Sequence, residues 1–142
     1  MLTRKFNILL IEDNPADIRL VKEAFKESEI NTELSIVNDG IEAIGFLKQD
    51  NNFEKAPIPD LILLDLNLPR KDGREILKEI KHDKKLKHIP VVILTTSSTE
   101  EDIYETYANY ANSYIVKPTN VGRFIETMKN LEDYWFNILR LP

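Results

Sequence analysis

"PDLILLDLNLPRKDG", residues 59–73, decides the fold. An unbroken apolar run, Leu61 to Leu64, ends in a carboxylate, Asp65, and is followed by a Pro/Gly-punctuated turn. An apolar run this short, closed by turn residues, reads as a strand buried on both faces over about 60–65. Directly after it, "GREILKEIKHD" (73–83) places Ile76, Leu77 and Ile80 at helical spacing. One strand and one helix are joined by a loop that carries an acid at the strand's tip.

The same unit recurs in both directions. Upstream, "FNILLI" (6–11) is a second buried strand, followed by Asn14 as N-cap, Pro15 at the first helical position and Ile18, Val21, Ala24 and Phe25 at helical spacing. "ELSIV" (33–37) is a short strand, and Asp39 caps a helix with Ile41, Ala43, Ile44 and Leu47. Downstream, "PVVILT" (90–95) is a third buried strand. Thr99 then caps a helix over 99–111, with Asp102 at the capping-box position usually filled by Glu or Gln. "SYIVK" (113–117) is a strand, and a last helix runs from about Asn120 to Leu139. Five strands alternating with five helices make an α/β fold: a doubly wound (βα)5 parallel sheet with helices on both sides.

The 142 residues suit one domain over 1–142, with an apolar helical extension at about 132–142 and no room for a separate output domain. A net charge of -5 disfavours a life on nucleic-acid backbone, so the basic run from Lys78 to His88 reads as a solvated helix end. No cysteine is present, which excludes disulfides and thiolate metal sites. The N-terminus lacks the pattern of a signal peptide, and no stretch approaches the roughly 20 apolar residues of a bilayer span. A cytoplasmic protein without membrane partners is expected.

Ligands of open parallel α/β sheets bind beyond the carboxyl ends of the strands. At those ends stand Glu12 and Asp13, then Asp65, then Thr95, then Lys117 followed by Pro118. Neighbouring carboxylates raise the cost of ionising one another, and a hard divalent cation resolves this. Mg²⁺ suits the set, being held by one or two carboxylates together with waters and phosphate oxygens. Asp13 and Asp65 are the expected direct ligands, Glu12 acts through water, and the Asn67 backbone carbonyl supplies one more oxygen. A carboxylate so placed is also a nucleophile for a phosphoryl group, with Mg²⁺, Lys117 and Thr95 meeting its three oxygens. Each residue alone reads more blandly, as helix-start acids, a cap, strand filler or surface charge. Their coincidence at four strand ends is what carries the assignment.

These motifs resemble the receiver domains of two-component response regulators. The likeness rests on "ILLIEDNPAD", "PDLILLDLNLPRKDG", "PVVILTTSS" and "YIVKPTN" and spans Phe6 to about Leu131. It implies strand order 2-1-3-4-5, Glu12 and Asp13 as metal-binding acids, and Asp65 as the phosphorylated residue. It further implies Thr95 as switch hydroxyl, Lys117 as phosphate contact, Tyr114 as switch aromatic and a cis Lys117–Pro118 peptide. A narrower resemblance, carried by "KQDNNFEKAPIP", "DLNLPRKDGREIL", "LTTSSTEEDI" and "YWFNILRLP", is to single-domain regulators associated with phytochrome-type histidine kinases.

The expected function is therefore phosphorylation-activated signalling, with a sensor histidine kinase as partner and no enzymatic activity beyond accepting and losing the chain's own phosphoryl group. Asn67 and Ser97 lie where they would tune its lifetime. An aspartyl-phosphate phosphatase or mutase needs a second acid two residues after the nucleophile, where Asn67 stands. A flavodoxin-like cofactor carrier needs a phosphate-cradling loop where "EDNPAD" stands. A phosphorylation-independent scaffold of the same fold is the alternative. Output then falls to a surface. Tyr104, Tyr107 and Tyr110, of which only some can face the core, and the nearly all-round apolar Tyr134, Trp135, Phe136, Ile138 and Leu139 are the interface candidates, with a homodimer as one use. The competing reading is that the tail folds back on its own core.

Overall fold

A computed structural model describes residues 5–138. The strands are β1 (Phe6–Ile11), β2 (Thr32–Val37), β3 (Leu61–Leu64), β4 (Val91–Thr95) and β5 (Ser113–Val116), all paired in parallel in the order 2-1-3-4-5. Between and after them run α1 (Pro15–Lys26), α2 (Gly40–Lys48), α3 (Gly73–His82), α4 (Glu100–Ala108) and α5 (Val121–Asp133). The expected fold class and strand order are those observed. Asn14, Asp39 and Thr99 cap α1, α2 and α4 through their side chains, as read from the sequence, and Asp72 and Asn120 do the same for α3 and α5.

The central strands alternate strictly between two cores, because successive side chains of a strand point to opposite faces. Leu9, Ile11, Ile62, Leu64, Val91 and Ile93 pack with Ala43, Leu47, Ile76, Leu77 and Ile80 of α2 and α3. Ile8, Leu10, Leu61, Leu63, Val92 and Leu94 pack with Val21 and Phe25 of α1 and Phe124 and Met128 of α5. Every β3 side chain is buried. At about 1.5–3 kcal/mol for each fully buried aliphatic side chain, this layer fixes β3 and hence the position of the residue that follows it.

The loop after β3 is held by two close approaches. A Cβ on Gly73 would lie 2.2 Å from the Asp65 carbonyl oxygen, and one on Gly40 would lie 2.1 Å from that of Lys71. Only a bare backbone lets α3 and α2 start against this loop.

The surface expectations meet different outcomes. Tyr104 and Tyr107 of α4, and Tyr110 just past its end, are all exposed, and Thr106 is the one buried residue of that helix. Conversely, Trp135 and Phe136 are buried within the described chain and are not free interface residues, while Tyr134 is exposed. After Asp133 the chain widens into a π-type turn, Tyr134–Ile138, that carries both rings inward, and Phe136 stacks on Phe6 with centroids 4.3 Å apart. The side chain of Ile138, and Leu139 with the rest of the extension, lie outside what is described. No helix among the described residues is long and apolar enough to cross a membrane.

Candidate functional site

The site forms where β1, β3, β4 and β5 end. Glu12 is 1% exposed, and its Oε2 accepts the backbone N–H groups of Asp13 and Asn14 at 3.1 and 3.2 Å. Its Oε1 has no well-aligned hydrogen bond but lies 2.5 Å from Lys117 Nζ, a close ion pair. Asp65 accepts the Asn67 N–H on Oδ1 at 3.3 Å and the Lys117 ammonium on Oδ2 at 3.1 Å. Asp13 is exposed beside them, and carboxylate oxygens of Glu12, Asp13 and Asp65 all lie within 4.8 Å of one another. Thr95 is fully buried at the end of β4 next to Asp65. Every catalytic and acidic metal-binding side chain expected from the sequence thus falls in one place.

The electrostatics follow from burial and crowding. Loss of water pushes the Glu12 carboxyl up to about 7, and the Asp65 charge adds to that, against the pull of Lys117. Asp65 is also desolvated, yet its pKa lies below the usual carboxylate value, held there by Glu12, Lys117 and Thr95. The Lys117 pKa is raised above that of an ordinary lysine: burial opposes its charge, but contacts with Asp17 and Glu12, and the charge of Asp65, outweigh it. One acid of the pair favours its proton and the other its charge, as expected of carboxylates sharing a small buried site.

This donor set fits a hard divalent cation. Its acidic side chains offer three carboxylates, one with a buried Glu12 oxygen that lacks an aligned donor, on a rim open to solvent through Asp13. Oxygen-only sites of this kind suit Mg²⁺ or Mn²⁺.

Three features escaped the sequence. Asp17, in the first turn of α1, accepts from Lys117 Nζ at 2.8 Å. Arg74 at the start of α3 grips Asp102 at the start of α4, and Asp102 also accepts from Ser97 Oγ at 2.6 Å. Tyr114 is half-buried and donates its hydroxyl to the Ser97 carbonyl at 2.9 Å. The expected switch aromatic is therefore already bonded to the β4–α4 loop.

The expected cis peptide is a correction. No cis bond occurs among the described residues, so Lys117–Pro118 is trans. Trans is the more stable X-Pro isomer by about 0.5–1 kcal/mol. In that geometry Lys117 N–H still reaches the Thr95 carbonyl at 2.7 Å and its ammonium still reaches Asp65.

Residues 8–129 match the family described as the response regulator receiver domain. The chain belongs to that family. This receiver is 48% identical over 135 residues to the response regulator Rcp1 of Synechocystis sp., covering 95% of this chain and 92% of that one. It is 32% identical to the polar-differentiation response regulator DivK of Brucella ovis, over 87% and 94% of the two chains. Among solved structures it resembles the Mn²⁺-bound form of Rcp1, with a TM-score of 0.93, 47% identity and coverage of 96% and 99%. It also resembles the phosphorylated cyanobacterial phytochrome response regulator RcpA, with a TM-score of 0.95, 47% identity and coverage of 98% and 99%. The receiver is a phosphorylation-activated response regulator of a two-component system. Its signalling class implies a histidine kinase as partner and a divalent metal at the acidic pocket.

Proposed function

We propose that this receiver is a single domain that accepts a phosphoryl group on Asp65 from a phosphohistidine of a sensor kinase, with Mg²⁺ held by Asp13, Asp65 and the Asn67 carbonyl and, through water, by Glu12. The observation that carries the proposal is the convergence of Asp65, Lys117 and Thr95 with the acid cluster at one rim. A bound divalent cation supplies positive charge to the phosphoryl oxygens and lets neighbouring carboxylates ionise together.

The chain's own residues do the rest. An Asp65 carboxylate oxygen donates a lone pair to phosphorus. As that O–P bond forms, the donor's P–N bond breaks, its electron pair stays on the imidazole nitrogen, and that nitrogen takes a proton from water. Lys117, already 3.1 Å from Asp65 Oδ2, meets the incoming charge on one phosphoryl oxygen. The Thr95 hydroxyl meets another. These are groups fixed before the reaction, which is where electrostatic stabilisation is most effective. Movement of Thr95 reaches the surface through the loop that holds Ser97, and Tyr114 follows because its hydroxyl is bonded there. Phosphorylation shifts a population between two arrangements of that loop.

The output face is α4, β5 and the start of α5, where Tyr104, Tyr107, Val116 and Val121 are all exposed. Its occupant is a second copy of this chain, and the kinase is of the phytochrome type, as the likeness to RcpA supports. Both act in the cytoplasm. Analytical ultracentrifugation with and without phosphodonor tests the dimer: a mass that does not change, and equals one chain in both, counts against it.

The primary test is intact-mass spectrometry after incubation with acetyl phosphate and Mg²⁺, wild type beside Asp65→Asn. One metal-dependent phosphoryl adduct on wild type alone is the expected result. Equal adduct on both proteins would remove Asp65 as acceptor.

A further inference from the structure

The Lys117 ammonium has three N–H donors and three carboxylates around it. Glu12 Oε1 is at 2.5 Å, Asp17 Oδ2 at 2.8 Å and Asp65 Oδ2 at 3.1 Å. Two of these partners have other work in the proposed cycle. Glu12 and Asp65 belong to the acid cluster that can hold a metal, and Asp65 is the acceptor itself. Asp17 belongs to neither role. Its backbone is fixed independently, because Asn14 Oδ1, the cap of α1, accepts the Asp17 N–H at 3.1 Å. It approaches the ammonium from a helix start one hundred residues away in sequence.

We propose that Asp17 is a positioning residue for Lys117, the one anchor that keeps the ammonium in place once metal and phosphoryl group have engaged Glu12 and Asp65. This inference rests on the reading of Asp65 as phosphoryl acceptor. A lysine on a flexible four-carbon stem has many rotamers, and fixing its charge before reaction removes the reorganisation that would otherwise accompany the transfer. A carboxylate outside the metal's reach does this throughout the cycle. Without it, Lys117 falls back onto Glu12 and Asp65 and competes with the cation for them.

The alternative for Asp17 is purely structural: an acid in the first turn of α1, favourable to the helix dipole. The two roles separate experimentally. Initial rates of adduct formation from acetyl phosphate at saturating Mg²⁺ are compared in wild type, Asp17→Asn, Asp17→Glu, Lys117→Ala and the Asp17→Asn/Lys117→Ala double variant. Positioning predicts that Asp17→Asn is slower by roughly tenfold, that Asp17→Glu recovers most of the rate, and that Asp17→Asn costs nothing further once Lys117 is gone. An Asp17→Asn rate equal to wild type, or the same loss in both backgrounds, overturns it.

A second measurement is independent of phosphoryl transfer. In protein labelled with ¹⁵N-lysine and loaded with Mg²⁺ alone, the Lys117 ammonium is expected to give a signal protected from solvent exchange in wild type and lost in Asp17→Asn. A protected signal that survives Asp17→Asn overturns the anchor. If wild type takes up no phosphoryl group, the Asp65 reading fails, and this measurement still decides whether Asp17 holds Lys117.

Discussion

Arg74 grips Asp102 through two parallel hydrogen bonds, Nε to Oδ1 and Nη2 to Oδ2, each 2.8 Å long. The pair joins the first turn of α3 to the first turn of α4, and Ser97 is bonded to the same carboxylate. Arg74 also holds Asp72, the cap of its own helix. The loop after Asp65 and the loop after Thr95 are thereby fastened to each other. A bidentate Arg–carboxylate contact is stronger and more directional than an ordinary surface pair. Arg74→Ala is expected to cost about 1–2 kcal/mol, above the usual range for exposed pairs, measured by urea denaturation. Amide hydrogen exchange should rise over residues 96–104 while β3 stays protected. Unchanged exchange there would mean that the loop is held by something else.

Gly73 offers a backbone test. With 2.2 Å available between an added Cβ and the Asp65 carbonyl oxygen, Gly73→Ala must displace either the start of α3 or Asp65, the proposed acceptor. The expected outcomes are a loss of about 1–3 kcal/mol, the range for overpacking, and slower adduct formation. Gly122→Ala serves as the control, since its nearest neighbour lies at 3.3 Å and is a side-chain oxygen.

Glu132 is 1% exposed on α5, bonded to Thr32 Oγ1 at 3.2 Å across the gap to β2. Burial raises its pKa above the ordinary 4.5, against hydrogen bonds from Ser28 and Thr32. A carboxyl with a raised folded-state pKa binds its proton more tightly when folded. Its stabilising contribution is complete below 4.5 and is lost as pH rises through the raised value. Glu132→Gln mimics the protonated form, so its melting temperature relative to wild type should climb between pH 5 and pH 8. A difference that does not vary with pH would contradict the assignment.

The inward turn of the tail predicts that Phe136→Ala removes a core contact. The expected cost is about 3 kcal/mol, at the low end for a buried aromatic, with no change in oligomeric state. If Phe136→Ala instead converted a dimer to a monomer without loss of stability, the tail would be an interface after all.

Most of the fold was legible because the central strands are uninterrupted apolar runs and the helices begin at recognisable caps, Asn14, Asp39 and Thr99. The site was legible because its chemistry stands at strand ends, where the topology of a parallel sheet gathers it. The tail was misread for a physical reason. Helical periodicity assumes 3.6 residues per turn, and the π-type winding after Asp133 turns Trp135 and Phe136 both to the core. Tyr104, Tyr107 and Tyr110 are too many for one helix face, but α4 ends at Ala108 and Tyr110 lies past it, and nothing in their spacing says that all stay outside. The Arg74–Asp102 and Asp17–Lys117 contacts join residues far apart in sequence, so no local pattern announces them.

Asp65 is the residue proposed to carry the phosphoryl group. Borohydride reduction of an aspartyl phosphate converts that one side chain to homoserine, which peptide mass mapping locates. After incubation with acetyl phosphate and Mg²⁺, conversion is expected at residue 65 and at no other acid, and chelation of the metal should abolish it. Conversion at Asp13 or Glu12 with residue 65 untouched would contradict it.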